Sequence, residues 1–420
     1  MKTNTLIVGA GQAGLATSYY LTLHGYEHIV LDRAEKAADM WRNRTWDSFT
    51  FVTPNWSFRM PGTDHTGKNR DEFMPRRLII QFFENYITQF NLPVKFNTDV
   101  NSVVQIPDEG YLVNTNGPDF VAKNVIIASG FFQDPKNPRF SSKISSDVLQ
   151  LHSNQYRNPV SVPEGAVLVV GSGQSGSQIA QELFRSGRKV FLSVGRAGRV
   201  PRRYRGRDII EWLELIGLFD LTPEQLPPGM GKFDGIPHLS GVGGGRTINL
   251  HEFARDGITL LGHAIDANKN IISLAPDLHV TLEMVDNFES NATAAIDEYI
   301  STNRIDAPEE KLSQHKDGFQ QVILESIDLR KEKINTIIWC TGFTFDYSMV
   351  KLPVFDADGF PIQSKGVTNY PGLYFVGMPW MPTEKSGALF GIGEAARHVA
   401  SQITEQSPVG NQQSAMNNQQ

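Results

Sequence analysis

One glycine motif, written twice, constrains this chain more than any other feature. The first copy is Gly9-Ala10-Gly11-Gln12-Ala13-Gly14. It follows the short β-forming run Thr5–Val8 and leads into a helical pattern over 11–24 that Gly25 ends, after which Ile29–Leu31 reads as a strand. The second copy, Gly171-Ser172-Gly173-Gln174-Ser175-Gly176, comes 162 residues later in the same setting. Ala166–Val170 precedes it as a strand, Gln178–Arg185 reads as helix, Gly187 stops that helix and Val190–Val194 is the next strand. Strand, glycine turn and helix within about 30 residues make the βαβ unit that binds a dinucleotide. The first glycine permits the turn, the second lets backbone approach a pyrophosphate, and the third lets helix and strand pack closely. Unpaired N–H groups at the helix N-terminus, from Gly11, Gln12 and Ala13 or from Gly173, Gln174 and Ser175, then face the phosphates. The duplication predicts an α/β chain with two Rossmann-type dinucleotide-binding domains.

The ends of the second strands tell the two sites apart. Asp32 stands 18 residues after Gly14, where a carboxylate accepts from ribose hydroxyls, and Arg33 follows it. The second site has no acid there: its strand ends Ser193-Val194-Gly195-Arg196, with further arginines at 199, 202, 203, 205 and 207. Guanidinium groups bind a 2′-phosphate in a forked geometry that a carboxylate would repel. Arg196 leads as the phosphate ligand, with Arg203 beside it; a solvated basic face is the plainer alternative. Nucleic-acid binding fits poorly with a net charge of −6. Two dinucleotides on one chain make chemical sense as a pair that passes a hydride, FAD at the first loop and NADPH at the second.

Other strands end in glycine near these motifs: Lys123–Gly130, its counterpart Thr336–Gly342 (which includes Thr341), and Gly372–Gly377. The expected layout is a discontinuous FAD domain over 1–158 and 330–405, with an NADPH domain over 163–325 inserted into it. Residues 202–270, with prolines 223, 227, 228 and 237 and the run Gly241–Gly245, fit neither Rossmann half. They read as an excursion, either a lid over a pocket or surface elaboration. Residues 407–420 read as a disordered polar tail.

Composition closes several routes. The chain has one cysteine, Cys340, so neither an internal disulfide framework nor two-thiol redox chemistry is available. No apolar run reaches the roughly 18 residues of a membrane span, and the N-terminal apolar run is too short for a leader. A cytoplasmic protein with no membrane or nucleic-acid partner is the expectation; a homodimer is compatible with it. Histidine spacings of a metal site and a glycine-flanked nucleophile are both missing, so no metal is assigned.

To about residue 400 the chain resembles the flavin-dependent monooxygenases with two dinucleotide-binding domains, which include flavin-containing, YUCCA-type and Baeyer–Villiger enzymes. The resemblance rests on both glycine loops, Trp41-Arg42, Trp46-Asp47-Ser48 with Thr53-Pro54-Asn55, His152–Tyr156, Cys340–Phe343 and Leu373–Gly377. It is strongest to a bacterial branch carrying Trp46-Asp47-Ser48-Phe49 and the arginine-rich run after Gly195. The resemblance implies that NADPH reduces FAD, that reduced flavin adds dioxygen at C4a, and that one oxygen atom passes to a small substrate. It also implies that Trp41 and Asn55 lie near the flavin ring and substrate, that Trp41, Arg42, Gly130, Thr341, Gly342 and Gly377 contribute to cofactor binding, and that the glycines from 387 to 393 bring N–H groups to the flavin edge. Packing for Trp41, a turn for Asn55 and a structural hydrogen bond for His152 are the alternatives. The family fingerprint FxGxxxHxxx(F/Y/W) keeps its second half in His152 and Tyr156, but its Phe and Gly fall on Ser146 and Val148. That departure favours oxygenation at nitrogen or sulfur, or oxidative decarboxylation, over Baeyer–Villiger insertion. An NADPH oxidase or flavin reductase without oxygen transfer would use the same loops.

Overall fold

The computed structural model describes residues 1–63, 69–225 and 237–405. Prolines 227 and 228 and the tail over 407–420 lie outside the described residues.

The first sheet grows around β1 (Lys2–Val8), whose last four residues are fully inside, as a strand covered on both faces demands. β2 (His28–Leu31) and β6 (Phe120–Ile127) flank it in parallel, and β3 (Val94–Lys95) extends the β2 side. β4 (Val100–Ile106), β5 (Gly110–Thr115) and β6 form an antiparallel meander. β5 pairs with the start of β6, while β19 (Leu373–Phe375), from the far end of the sequence, pairs in parallel with its last residues. α1 (Gln12–Leu23) is mostly buried and packs against α8 (Ile392–Glu405). α2 (Asp39–Asn43) is short; α3 (Arg76–Gln89) buries Ile79, Phe83 and Tyr86, a spacing that sets all three on one helix face.

The second sheet is all parallel, in the order β13 (Thr259–Leu261), β10 (Val190–Ser193), β9 (Ala166–Val170), β17 (Ile334–Trp339), β8 (Leu149–His152). β9 is buried at every position, the unbroken apolar pattern of a central parallel strand. α4 (Gln174–Arg185), α6 (Leu250–Asp256) and α7 (Leu278–Asn303) belong to this half. An antiparallel sheet of β14 (Ala264–Asn268), β15 (Ile271–Leu274) and β16 (Ser326–Asp328) completes it.

This pairing moves the expected domain boundaries. β8 lies before position 158 and β17 after 330, yet both pair within the second sheet. The chain crosses between domains at β7 (Asp134–Pro135) and returns at β18 (Phe343–Thr344), and these two crossings pair with each other antiparallel. The inserted domain therefore runs from about 136 to 342. The reason is Rossmann symmetry: β6 lies beside β1 as β17 lies beside β9, so Thr336–Gly342 is the counterpart of Lys123–Gly130 inside its own domain. The excursion is shorter than expected for the same reason, because β13 is a strand of the second sheet and β14 follows it. Among the described residues, what remains of the excursion is a hairpin of β11 (Arg203–Tyr204) and β12 (Arg207–Asp208), α5 (Ile209–Leu215), and short turns.

Candidate active site

The two glycine loops are built alike. Gly9 and Gly171 sit at φ +107° and +98°, a left-handed backbone that side chains disfavour. A Cβ on Gly9 would stand 2.6 Å from the Ala128 carbonyl oxygen, and one on Gly171 would stand 2.5 Å from that of Cys340. Gly14 and Gly176 lie so close to the carbonyls of Gly9 and Gly171 that any Cβ would overlap them. Gly11 and Gly173, in contrast, face open space: nothing lies within 4 Å of a Cβ at either. Each is the N-cap of its helix, and neither helix has a side-chain cap or an acid in its first turn. Both loops are thus open cradles of unclaimed amides, the environment a pyrophosphate needs.

At the first loop, Asp32 accepts from the amides of Ala10 at 2.6 Å and Ala34 at 2.8 Å. A carboxylate has about four acceptor sites, so capacity for ribose hydroxyls remains. Arg33 is exposed. A Cβ on Gly377, at the end of β19, would collide with that of Ala13, which sets this strand end on the loop. The Gln12 side chain donates to the Gly387 carbonyl at 2.6 Å and ties the loop to the turn before α8. Gly130 serves the crossing instead: its carbonyl takes Tyr347 Oη at 2.7 Å and Gln133 Nε2 at 2.8 Å.

At the second loop the arginines divide. Arg199 is buried and paired to Asp286 at 2.7 Å and Glu289 at 2.8 Å, both on α7. Arg202, also buried, binds Asp208 and the Val52 carbonyl, and Arg205 pairs with Asp297. Arg207 pairs with Glu211 and lies over the Trp212 ring. Arg196 and Arg203 are exposed; Arg203 donates only to the Gly244 carbonyl, at 3.1 Å, and neither has a carboxylate partner among the described residues. His238, fully buried, contacts the Ser172 carbonyl behind the loop, and burial pushes its pKa down to about 4. Gln174 binds the Leu239 amide and carbonyl. Thr341 and Gly342 fall on the crossing: the Thr341 hydroxyl donates to Lys136, and the Gly342 carbonyl meets His152 Nε2 at 2.9 Å. His152 is a buried structural group there, its pKa lowered by burial.

Trp41 and Asn55 lie on the segments between β2 and α3. The Trp41 ring contacts Phe49 and Phe51, and Arg42 pairs with Glu84. Asn55 donates through Nδ2 to the Asn69 carbonyl at 2.9 Å, and its buried Oδ1 has no partner among the described residues. The excursion closes over this region. Arg59 and Glu214 form a two-pronged ion pair at 2.7 and 2.9 Å, and Phe219 contacts Phe390 at 4.7 Å in a cluster that includes Trp56. Lys385 reaches Asp220 at 2.8 Å, and the Glu384 amide donates to Leu221 at 3.1 Å. The excursion thus packs as a cover on the FAD domain rather than as free surface elaboration. Glu384 escaped the sequence reading, because nothing in a local pattern reports burial by a distant element. Cys340 is half-buried behind Gly176, and desolvation raises its thiol pKa, which disfavours the reactive thiolate.

A family profile described as pyridine nucleotide-disulphide oxidoreductase matches residues 6–208. The oxidoreductase CzcO-like of Geobacillus kaustophilus is 32% identical over 402 residues, covering 95% of this chain and 98% of that protein. The chain belongs to the CzcO-like oxidoreductases. The two open cradles fit FAD and NADPH, the cofactors of its flavin monooxygenase relatives. The probable indole-3-pyruvate monooxygenase YUCCA1 of Arabidopsis thaliana is 27% identical over 206 residues, 48% of this chain and 49% of that protein. Among solved structures, a flavin-containing monooxygenase from Stenotrophomonas maltophilia shares the fold at TM-score 0.66 and 18% identity, over 96% of this chain and 98% of that one. Among the described residues there is no metal-ligating cluster and no helix long and apolar enough to cross a membrane.

Proposed function

We propose that this CzcO-like protein is an NADPH- and O2-dependent monooxygenase acting on a small organic substrate. Oxygenation at nitrogen or sulfur, or oxidative decarboxylation, is favoured over Baeyer–Villiger insertion, because Ser146 and Val148 replace the aromatic and glycine of that fingerprint. The observation that carries the reading is the matched pair of cradles, with Gly11 and Gly173 both open, joined by a seam that the excursion closes. When bound, FAD and NADPH supply the redox chemistry, with O2 as the oxidant. The chain binds, orients and excludes water. Arg196 and Arg203 take the 2′-phosphate, and Asp32 takes the ribose of the flavin nucleotide. The Trp56, Phe219 and Phe390 cluster keeps the seam dry, which strengthens every electrostatic contact inside it. Asn55 Oδ1 offers an acceptor that no described residue claims, and Trp41, Phe49 and Phe51 form an aromatic wall on the same stretch of chain.

The test is oxygen bookkeeping with the FAD-loaded protein, NADPH and isotopically labelled dioxygen. A labelled atom in the product, with little hydrogen peroxide per NADPH, supports the proposal. Stoichiometric peroxide with every amine, sulfide, ketone and 2-oxo acid offered would replace it with an NADPH oxidase.

A further inference from the structure

Glu384 places a buried carboxyl oxygen in the seam that no described residue hydrogen-bonds. It lies on the turn Glu384–Gly387, which Gln12 ties to the first glycine loop through Gly387 and which meets the excursion through the Leu221 carbonyl. Its Oε2 is buried and has no hydrogen-bond partner among the described residues. The adjacent cation does not serve it: Lys385 is held by Asp220 at 2.8 Å and by Glu394 at 3.2 Å. These three charges lie around the turn and pair with one another. Burial alone pushes the Glu384 pKa up to about 7. A buried acceptor left unsatisfied is costly, more so if charged, unless something outside the chain completes it.

We propose that Glu384 is a catalytic residue that receives a basic amine substrate as its ammonium ion and takes its proton. An ammonium nitrogen has no free lone pair and cannot be oxygenated. The N–H bond breaks, its electron pair stays on nitrogen, and the proton goes to the Glu384 carboxylate. The balance closes without any further reactant: NADPH, O2 and the ammonium ion give NADP⁺, the N-oxide and water, and the proton lodged on Glu384 is the one that water formation consumes. A 2-oxo acid carries the wrong charge for this carboxylate. The inference rests on the monooxygenase reading and narrows it.

Three aromatic probes on the FAD-loaded protein test it: N,N-dimethylbenzylamine, thioanisole and phenylpyruvate, each followed by NADPH consumption and product formation. For the amine, kcat/KM rises with pH through about 7 as Glu384 ionises. Glu384→Gln lowers that value about a hundredfold, the usual reach of a positioned base, and removes the inflection, whereas thioanisole, with no proton to lose, changes severalfold at most. Glu384→Asp restores part of the amine rate and guards against a folding artefact, checked by FAD content. Equal losses for amine and sulfide, or an amine profile untouched by Glu384→Gln, overturn the inference while leaving a monooxygenase. Stoichiometric hydrogen peroxide with all three probes removes the monooxygenase reading and the inference together.

Discussion

Gln12 and Gly387 are joined by a 2.6 Å hydrogen bond from side-chain amide to carbonyl. The residue at the same place in the other loop, Gln174, does the same work, holding the backbone of Leu239. In both motifs the glycines shape the turn while the glutamine recruits a remote segment. At the first loop that segment carries Glu384; at the second it carries His238, and beyond it Gly241, which packs on Phe51 and Phe73 of the FAD domain. The loops are therefore nodes of the tertiary structure as well as nucleotide cradles.

That dual role separates two glycine substitutions. A methyl at Gly11 meets no protein atom, so Gly11→Ala leaves the apoprotein as stable as the parent but strips FAD occupancy at least tenfold. Gly14→Ala overlaps the Gly9 carbonyl and destabilises the apoprotein itself, by several kcal/mol as for other forced overpacking. Flavin content and apoprotein thermal unfolding, measured together, distinguish the two.

The partition of the arginines yields a specificity prediction. Arg196→Ala and Arg203→Ala each raise KM for NADPH about tenfold, with KM for NADH nearly unchanged, since a charge-assisted hydrogen bond contributes roughly 1.5–3 kcal/mol. Arg205→Ala, whose partner is Asp297, leaves the NADPH to NADH ratio of kcat/KM where it was. A shift in that ratio for Arg205→Ala would contradict the assignment.

Arg199 is a different kind of residue, buried between two carboxylates of α7. Its removal strands Asp286 and Glu289, and breaking a buried pair costs about 3–5 kcal/mol. Arg199→Ala is thus expected to lower the unfolding midpoint in urea sharply. Arg199→Ala with Asp286→Asn and Glu289→Gln should recover much of the loss.

His238 sets a pH slope. Its proton is disfavoured in the fold down to about pH 4, against an ordinary value of 6.5, so between those limits the unfolded chain binds the proton and the folded chain does not. Stability accordingly falls as pH drops through that window, by up to about 3 kcal/mol. Glu384 acts with the opposite sign, since its folded form keeps a proton up to about 7 and stability falls as pH rises from 4.5. The comparison that isolates His238 is urea unfolding of parent and His238→Gln at pH 4.5 and 7, where the variant should lose the acid-side penalty.

Much of this was legible in the chain. The two βαβ units follow from apolar runs, glycine spacing and helix stops, all local signals. An acid after the second strand of one loop and arginines after that of the other were also visible, because each is a residue type at a fixed offset. Sheet membership was not: β8 and β17 are short apolar strands that either domain would accept, and only pairing with β9 assigns β17. Nor did the sequence reveal which arginines are occupied, since Asp286, Glu289 and Asp297 lie some 90 residues away on α7. Glu384 looked like any polar residue in a loop; its chemistry arises where the excursion covers it.

The double crossing at Asp134–Pro135 and Phe343–Thr344 also sets the order in which the molecule can be completed on the ribosome. Every strand of the inserted sheet has been made once Trp339 has emerged, but the first sheet waits for Leu373–Phe375, and its first helix waits for α8. The half that begins the polypeptide is the last to close. A truncation between β18 and β19 therefore leaves a finished nicotinamide half tethered to an open flavin half.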